Sequence, residues 1–457
     1  MSKIWTIVRN EWTLMRRSAA TWWAGGLFLA AVAYAIVGGL AWQATRAAET
    51  ASTELQARSG LAEQRAAAAE TPGRVGGAST YAALPPGPLA AFSVGLTDLL
   101  PERAEISIWR RPDTLFGRYQ LESPLSLLVG RFDLGFVVLY LLPLFVLVLS
   151  YDMLAREREG GRLALILTQP ISLSRLLAAK VVARLIPLTL LLTALVALTA
   201  LLAGTPSTAW LRLAGWGVIA WLYSVFWLAV CALVAAVARR PETCATLLAA
   251  LWLVVVLVMP GLLDVVARAT HPVPSRLEYV TAMRQASSAA SRESAELLSR
   301  YYHEHPELAA NGEQGGFMPA YYAAERDVER RLAPLIDDFE QRLGQQQGLV
   351  ERWGYASPAV LAQEALIETA GASLWRHRAY ASQARTFLAE WHAELAPRIF
   401  LGQSLEAADY DRLPQFTFAE PAVSRRRFAG SVLGLALPSL LAFVLAWRRL
   451  DRMAVAE

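Results

Sequence analysis

The chain has 457 residues, of which 55% are hydrophobic and only 18% charged, and its formal net charge is +4. That balance excludes an ordinary soluble enzyme, and a basic excess so small and so evenly spread excludes a nucleic-acid-binding protein. A bilayer core takes about 20 apolar residues of helix, so the lengths of the charge-free runs carry the first reading. Six runs qualify: Ser18–Thr45, Leu134–Tyr151, Leu185–Leu211, Leu213–Ala238, Thr243–Leu263 and Phe428–Trp447. They predict an all-α polytopic membrane protein with six transmembrane helices.

In chain order, residues 1–17 contain KIWTIVRNEWTLMRRS, which places Ile4, Val8, Trp12 and Met15 along one helical stripe. Lys3, Arg9, Arg16 and Arg17 are then available to lipid headgroups, so this stretch predicts a cytoplasmic interfacial helix with Trp5, Arg9, Trp12 and Arg16 as its candidate residues, the alternative being a basic flank that only orients the first span. The first span, 18–45, has 28 uncharged residues. A cleavable signal has a core of about 7–15, so the span is expected to remain as an anchor.

Residues 46–133 form a first extracytoplasmic region that opens on the Ala/Glu/Arg-rich TRAAETASTELQARSGLAEQRAAAAE and then becomes rich in glycine and proline. Within it Val75–Thr97 is also uncharged, but Pro85-Pro86-Gly87-Pro88 would leave backbone groups unpaired in lipid. That segment is expected to pack against the outer ends of helices, with a re-entrant segment as the alternative. The second span, 134–151, leads into a cytoplasmic loop, 152–184. Helices 3 to 5 occupy 185–263, and a second, charged extracytoplasmic helical domain follows at 264–427. The sixth span, 428–447, ends in a cytoplasmic tail, 448–457. No strand alternation argues for a sheet, and there is no internal repeat.

The orientation follows from the basic residues, because connections rich in Lys and Arg stay inside. With the N-terminus inside, the cytoplasmic pieces hold Lys3, Arg9, Arg16, Arg17, Arg156, Arg158, Arg162, Arg175, Lys180, Arg239, Arg240, Arg448, Arg449 and Arg452. Arg425–Arg427 at the outer mouth of the last span oppose this scheme. Both termini are expected in the cytoplasm, and the membrane to be the bacterial inner membrane.

The loop AREREGGRLALILTQPISLSRLLAAK, Ala155–Lys180, carries charges that cannot enter hydrocarbon. Leu163, Ile166 and Leu167 make a small apolar face between turns at Gly160-Gly161 and Pro170. A rigid lever and a plain stretch of loop helix both fit this composition. Pro143, Pro187, Pro260 and Pro438 fall inside spans and are candidate kinks. His303-Glu304-His305 would not converge on a metal as i and i+4 ligands do, so no metal site is expected. No acid, base and nucleophile cluster near a span end, so no catalytic residue is assigned. Cys231 and Cys244 lie in or beside spans and read as apolar fillers.

A resemblance adds to this reading. Glu157, Glu159, Gly161, Leu163, Leu167, Pro170, Ser174, Arg175 and Lys180 resemble the ExExGTxxxLLxxPxSRxxxxxxK signature in the first cytoplasmic loop of type-2 ABC exporter permeases. Arg162 stands where that signature has threonine, and Leu173 is inserted between the serines. Leu84–Pro101, Glu122–Leu154 and Ser357–Leu395 are similar to a subgroup of those permeases with a large extracytoplasmic insertion of uncharacterised function, and Gly130-Arg131-Phe132-Asp133 is the most specific part. The resemblance implies a permease subunit of an exporter whose loop docks on ABC ATPase subunits. It also implies a second permease copy or a paralogue as partner, with ATP and Mg on the ATPase. No GxxxxGK[ST] occurs in this chain, so it is not expected to be an enzyme or to hold a cofactor itself. Mechanotransmission to an extracytoplasmic partner, without cargo movement, is the alternative.

Overall fold

The computed structural model describes residues 2–95, 97, 100–116, 131–159, 172–272, 276–306 and 317–456. An amphipathic helix α1 (Ser2–Arg17) precedes α2 (Ala19–Glu70), whose 52 residues are more than twice what a bilayer needs. The excess arises because the Ala/Glu/Arg-rich stretch after Trp42 is made of strong helix formers, so the first span runs on without a break into the region beyond it.

The second span, α3, is capped by Asp133, runs Leu134–Phe136, passes through a π-helical turn at Val137–Leu141 and continues over Leu142–Ser150. After the short α4 (Ala155–Glu159) come α5 (Leu173–Leu202) and α6 (Trp210–Val237). The next span, α7 (Pro241–Thr270), has its own π-turn at Val254–Val258. With the final helix, α14 (Arg425–Ala456), six helices among the described residues are long and apolar enough to cross a membrane, and the chain is a multi-pass, largely helical membrane protein. α2, α7 and α14 run past their charge-free segments, whereas α5 stops at Leu202, short of the expected end at Leu211, and Trp210 and Leu211 belong to α6. α5 also begins early, at Leu173, so the last residues of the expected cytoplasmic loop are its first turns.

The hub of the bundle is α6, where 67% of the most apolar window is buried, against 11% in α7 at the rim. Trp216, Tyr223 and Trp227 project from α6 into the core shared with α2, α3 and α5. The face of the bundle where α1 packs on the start of α5 is called here the base.

Away from the base, described residues of the regions before the second span and after the fifth fold as one unit. It contains α8 (Arg276–Arg292), α9 (Ser294–Glu304), α10 (Phe317–Gly354), α11 (Pro358–Ala370), α12 (Leu374–Phe400) and the one-turn α13 (Ala407–Tyr410). Ala68, Ile106 and Leu115 from the first region share a core with Tyr322, Phe387, Trp391 and Phe400 from the second. Arg111 makes a two-point contact to Asp113, at 3.0 and 3.2 Å, and pairs with Glu325, while the Tyr279 hydroxyl donates to Asp113 at 2.7 Å. Burial alone would lower the Arg111 pKa, but the two carboxylates outweigh it and the guanidinium is held charged.

This unit also corrects the expectation of no sheet. β1 (Ser79–Ala83) and β2 (Arg103–Ser107) pair antiparallel from Ser79 opposite Ser107 to Ala83 opposite Arg103. Their buried positions include Thr80, Ala82 and Ala104, which are too small or too polar to register as hydrophobic alternation, and no short turn joins them.

A second departure is α11, which falls within the segment expected as a separate charged domain, 264–427, but packs into the spanning bundle. Ser357 caps its start by accepting from the Val360 N–H at 3.4 Å, Pro358 opens it, and Gly371 closes it at φ +76°. Ala359, Ala362, Ala365, Leu366 and Ala370 belong to the core of the spanning bundle. The Pro-Pro-Gly-Pro segment seats on its C-terminus, with the Leu89 N–H donating to the Ala370 carbonyl at 3.1 Å. A Cβ on Gly87 would lie 2.7 Å from the carbonyls of Ala370 and Gly371, and one on Gly39 of α2 would overlap the Ala91 carbonyl. Glycine permits both approaches. The Asp133 carboxylate receives the N–H groups of Val94 and Phe136, both at 2.7 Å, which is the structural use of the Arg131-Phe132-Asp133 segment.

Candidate functional site

At the base, charges from two elements, α1 and α4, converge on α5. Lys180 Nζ lies 2.8 Å from Glu11 Oε1 of α1 and 2.7 Å from Glu157 Oε1 of α4, and Arg184 Nη1 lies 3.1 Å from Glu11 Oε2. The side chains of Lys180, Arg184 and Glu11 are only 4–6% exposed, so the group is desolvated, and its two acids balance its two bases. Buried ions of this kind persist only when paired and hydrogen-bonded.

Lys180 and Arg184 are one turn apart on α5 and therefore share a face. The Arg184 Nε also donates to the Leu149 carbonyl in the last turn of α3, at 2.8 Å. Arg158 on α4 donates to the carbonyls of Ala235 and Ala238 at the end of α6, at 3.3 and 3.0 Å. Both guanidinium groups thus complete helix C-termini, where cations are favoured. Two further contacts hold α1. Val8 is fully buried against Ala179 and Ala183, and the Trp12 indole N–H donates to the Ala183 carbonyl at 2.7 Å.

Of the loop residues singled out from sequence, Glu157 and Lys180 meet in this network. Ser174 is buried, with its hydroxyl 3.1 Å from that of Ser172, and Glu159 and Arg175 are exposed. Gly161, Leu163, Leu167 and Pro170 lie outside the described residues. On α1, Trp12 is half-buried against α5, while Trp5, Arg9 and Arg16 are exposed. The helix therefore rests on protein through Ile7, Val8, Glu11 and Trp12, and Ile4 of the expected stripe is exposed. Pro143 and Pro260 each follow a π-turn, whereas Pro187 and Pro438 lie within continuous helix.

Sequence reasoning missed Glu11 and Arg184. A signal for the first was present: Glu11 is the single acid among the four cations of the N-terminal segment, and it falls on the stripe between Val8 and Trp12. For Arg184 the clue was its i+4 relation to Lys180 at the edge of an apolar run.

A second set of ion pairs ties the far unit to the bundle. Glu420 accepts from Arg376 Nε at 2.9 Å and pairs with Arg212, at the start of α6, at 3.3 Å. Arg376 also donates to the Pro85 carbonyl at 3.0 Å. Arg427, at the start of α14, pairs with Glu368 of α11 at 3.0 Å and lies over the Trp375 ring at 4.4 Å. Deeper in this unit His392 approaches the Ser107 carbonyl at 3.3 Å. Burial, reinforced by the charge of Arg326, pushes its pKa down to about 4.

The far unit is also where the chain has a relative. Residues 276–419 match a family described as a domain of unknown function, DUF3526. The matched segment starts with α8, includes α11 and α12, and stops just short of Glu420 and α14. No curated protein matches the chain.

Proposed function

We propose that the chain is the membrane-spanning permease subunit of an ATP-driven exporter in the bacterial inner membrane. Its base, with both termini, faces the cytoplasm, and separate ABC ATPase subunits bind there through Ala155–Lys180. The observation that carries this reading is the Glu157–Lys180–Glu11–Arg184 network, because it joins the loop, a spanning helix and the interfacial helix into one unit. A push on α4 is delivered to α5 and α1 together rather than dissipated in a flexible link. Orientation gains support at the far end, where Arg427 and Arg212 are neutralised by Glu368 and Glu420 and so weigh less against the inside excess of base. ATP and Mg belong to the partner ATPase, and a second permease copy completes the pathway.

The test is co-purification with an ATPase encoded beside this gene. Glu157→Gln should weaken assembly and uncouple ATP hydrolysis, whereas Arg300→Gln, which breaks an exposed pair on the far unit, should leave both intact. Full coupling in Glu157→Gln would remove the assignment.

One observation favours a second reading, in which ATP energy is passed to an extracytoplasmic partner without cargo. The far unit is fixed to α6 and α14 by Arg212, Arg376, Glu420 and Arg427 rather than tethered by a linker. Breaking the Glu420 pairs with Arg376→Gln and Glu420→Gln, and the Glu368 pair with Arg427→Gln, separates the readings. An exporter retains cargo movement, while a mechanotransmitter loses activation of its partner.

A further inference from the structure

Proline inside a helix leaves one carbonyl without a backbone donor, and the register of the helix decides which one. In α7 the Met259 N–H reaches back five residues to the Val254 carbonyl, the π pattern. The α-type donor for the Val255 carbonyl is thereby used elsewhere, and its π-type donor would be residue 260, a proline. The Val255 carbonyl is therefore the orphan of the π register. In the α register Met259 would return to Val255, and the orphan would be Val256, four residues before Pro260.

The structure fills the first of these vacancies from outside the helix. Ser357, fully buried at the start of α11, places its hydroxyl 3.5 Å from the Val255 carbonyl while accepting from the Val360 N–H. A hydroxyl can do both at once. α3 has a related but shifted arrangement. There Leu142 reaches back to Val137 in the π pattern, and the Tyr223 hydroxyl of α6 donates at 3.2 Å to the Leu139 carbonyl, four residues before Pro143 rather than five. Among the described residues, both π-turns have a proline two residues on and a hydroxyl from a neighbouring element on a nearby carbonyl. α11 packs against both turns and against α6.

We infer that Ser357 is a register latch: by satisfying Val255 and not Val256 it selects the π register of α7, and it couples that register to the seating of α11 in the bundle. Withdrawal of α11 strands the Val255 carbonyl in apolar surroundings, and α7 recovers by shifting to the α register. Losing the extra residue of a π-turn rotates the helix beyond it by about 100°, one residue's turn. Residues 260–270 and the far unit they lead into then turn relative to 241–253. The latch is independent of what the bundle carries.

Spin labels at positions 247 and 262, both exposed and on either side of the π-turn, read the register as a distance in lipid nanodiscs, with Cys231 and Cys244 replaced by alanine. The otherwise unsubstituted chain should give one dominant distance. Ser357→Ala should shift the ratio of the two registers about 3- to 18-fold toward the second, as expected for one intramembrane hydrogen bond. Ser357→Thr, which keeps the hydroxyl, should restore the original distance. Pro260→Ala supplies the missing N–H, so adding Ser357→Ala to it should change nothing further. An unshifted distance in Ser357→Ala, or a shift that persists undiminished in the Pro260→Ala background, overturns the latch.

Discussion

Replacing Glu11 by glutamine tests whether the base network is desolvated as a unit. Glu11 contacts Lys180 at 2.8 Å and Arg184 at 3.1 Å, so the substitution leaves two buried cations facing one carboxylate. Removing one member of a buried pair costs about 3–5 kcal/mol, whereas an exposed pair is worth roughly 0–1 kcal/mol. Lys180 retains Glu157, which places the expected loss near the lower limit, about 3 kcal/mol, a large share of a marginal stability of about 5–15 kcal/mol. The control is Arg156→Gln, because the Arg156–Asp152 pair is 62% exposed on the arginine side and should change stability by less than about 0.5 kcal/mol. The assay is unfolding of the purified protein in detergent micelles, with Glu11→Gln, Lys180→Met and the double variant arranged as a cycle. The double variant should be less damaging than the sum of the singles, since it removes one charge of each sign. A loss below about 1 kcal/mol for Glu11→Gln, or simple additivity in the cycle, refutes the idea of a desolvated, mutually dependent network.

Acid should loosen the far unit through His392. Its folded pKa of about 4 lies below the ordinary value of 6.5, so the neutral form is favoured in the folded state. The stability is fully present above about pH 6.5 and falls as pH drops toward 4, by roughly 3 kcal/mol in total. Amide exchange of α12 across that window, corrected for intrinsic rates, should show the fall, and His392→Gln should flatten it. Gly371→Ala places a Cβ at φ +76° and 2.6 Å from Pro88 Cδ, so it should destabilise by about 1–3 kcal/mol and release the proline segment to limited proteolysis near residue 88. Trp12→Phe keeps the ring contact but removes the 2.7 Å bond to the Ala183 carbonyl, for an expected loss of about 1 kcal/mol in the same unfolding assay.

Much of the base was legible in the chain because its signals are local. An N-terminal stripe, a charged loop between apolar runs and a lysine at the end of that loop can each be seen in a window of a few turns. Glu157 and Lys180 were singled out by the resemblance of that loop to the permease signature, itself a local pattern. Glu11 was not, since its partners Lys180 and Arg184 lie 169 and 173 residues away, and nothing local states that a carboxylate on an amphipathic helix will be desolvated.

By itself, the sequence determined the six apolar helices and their order, because transfer into lipid depends on composition summed over about 20 consecutive residues. Polar backbone barred Pro85–Pro88 from spanning, for the same local reason. Only the tertiary structure decided that regions before the second span and after the fifth share one core, that a small hairpin forms within it, and that α11 belongs to the bundle. It alone decided that hydroxyls from other elements complete the proline-interrupted turns of α3 and α7. These are pairings between distant residues, and their energy exists only once both partners have been brought together and shielded from water.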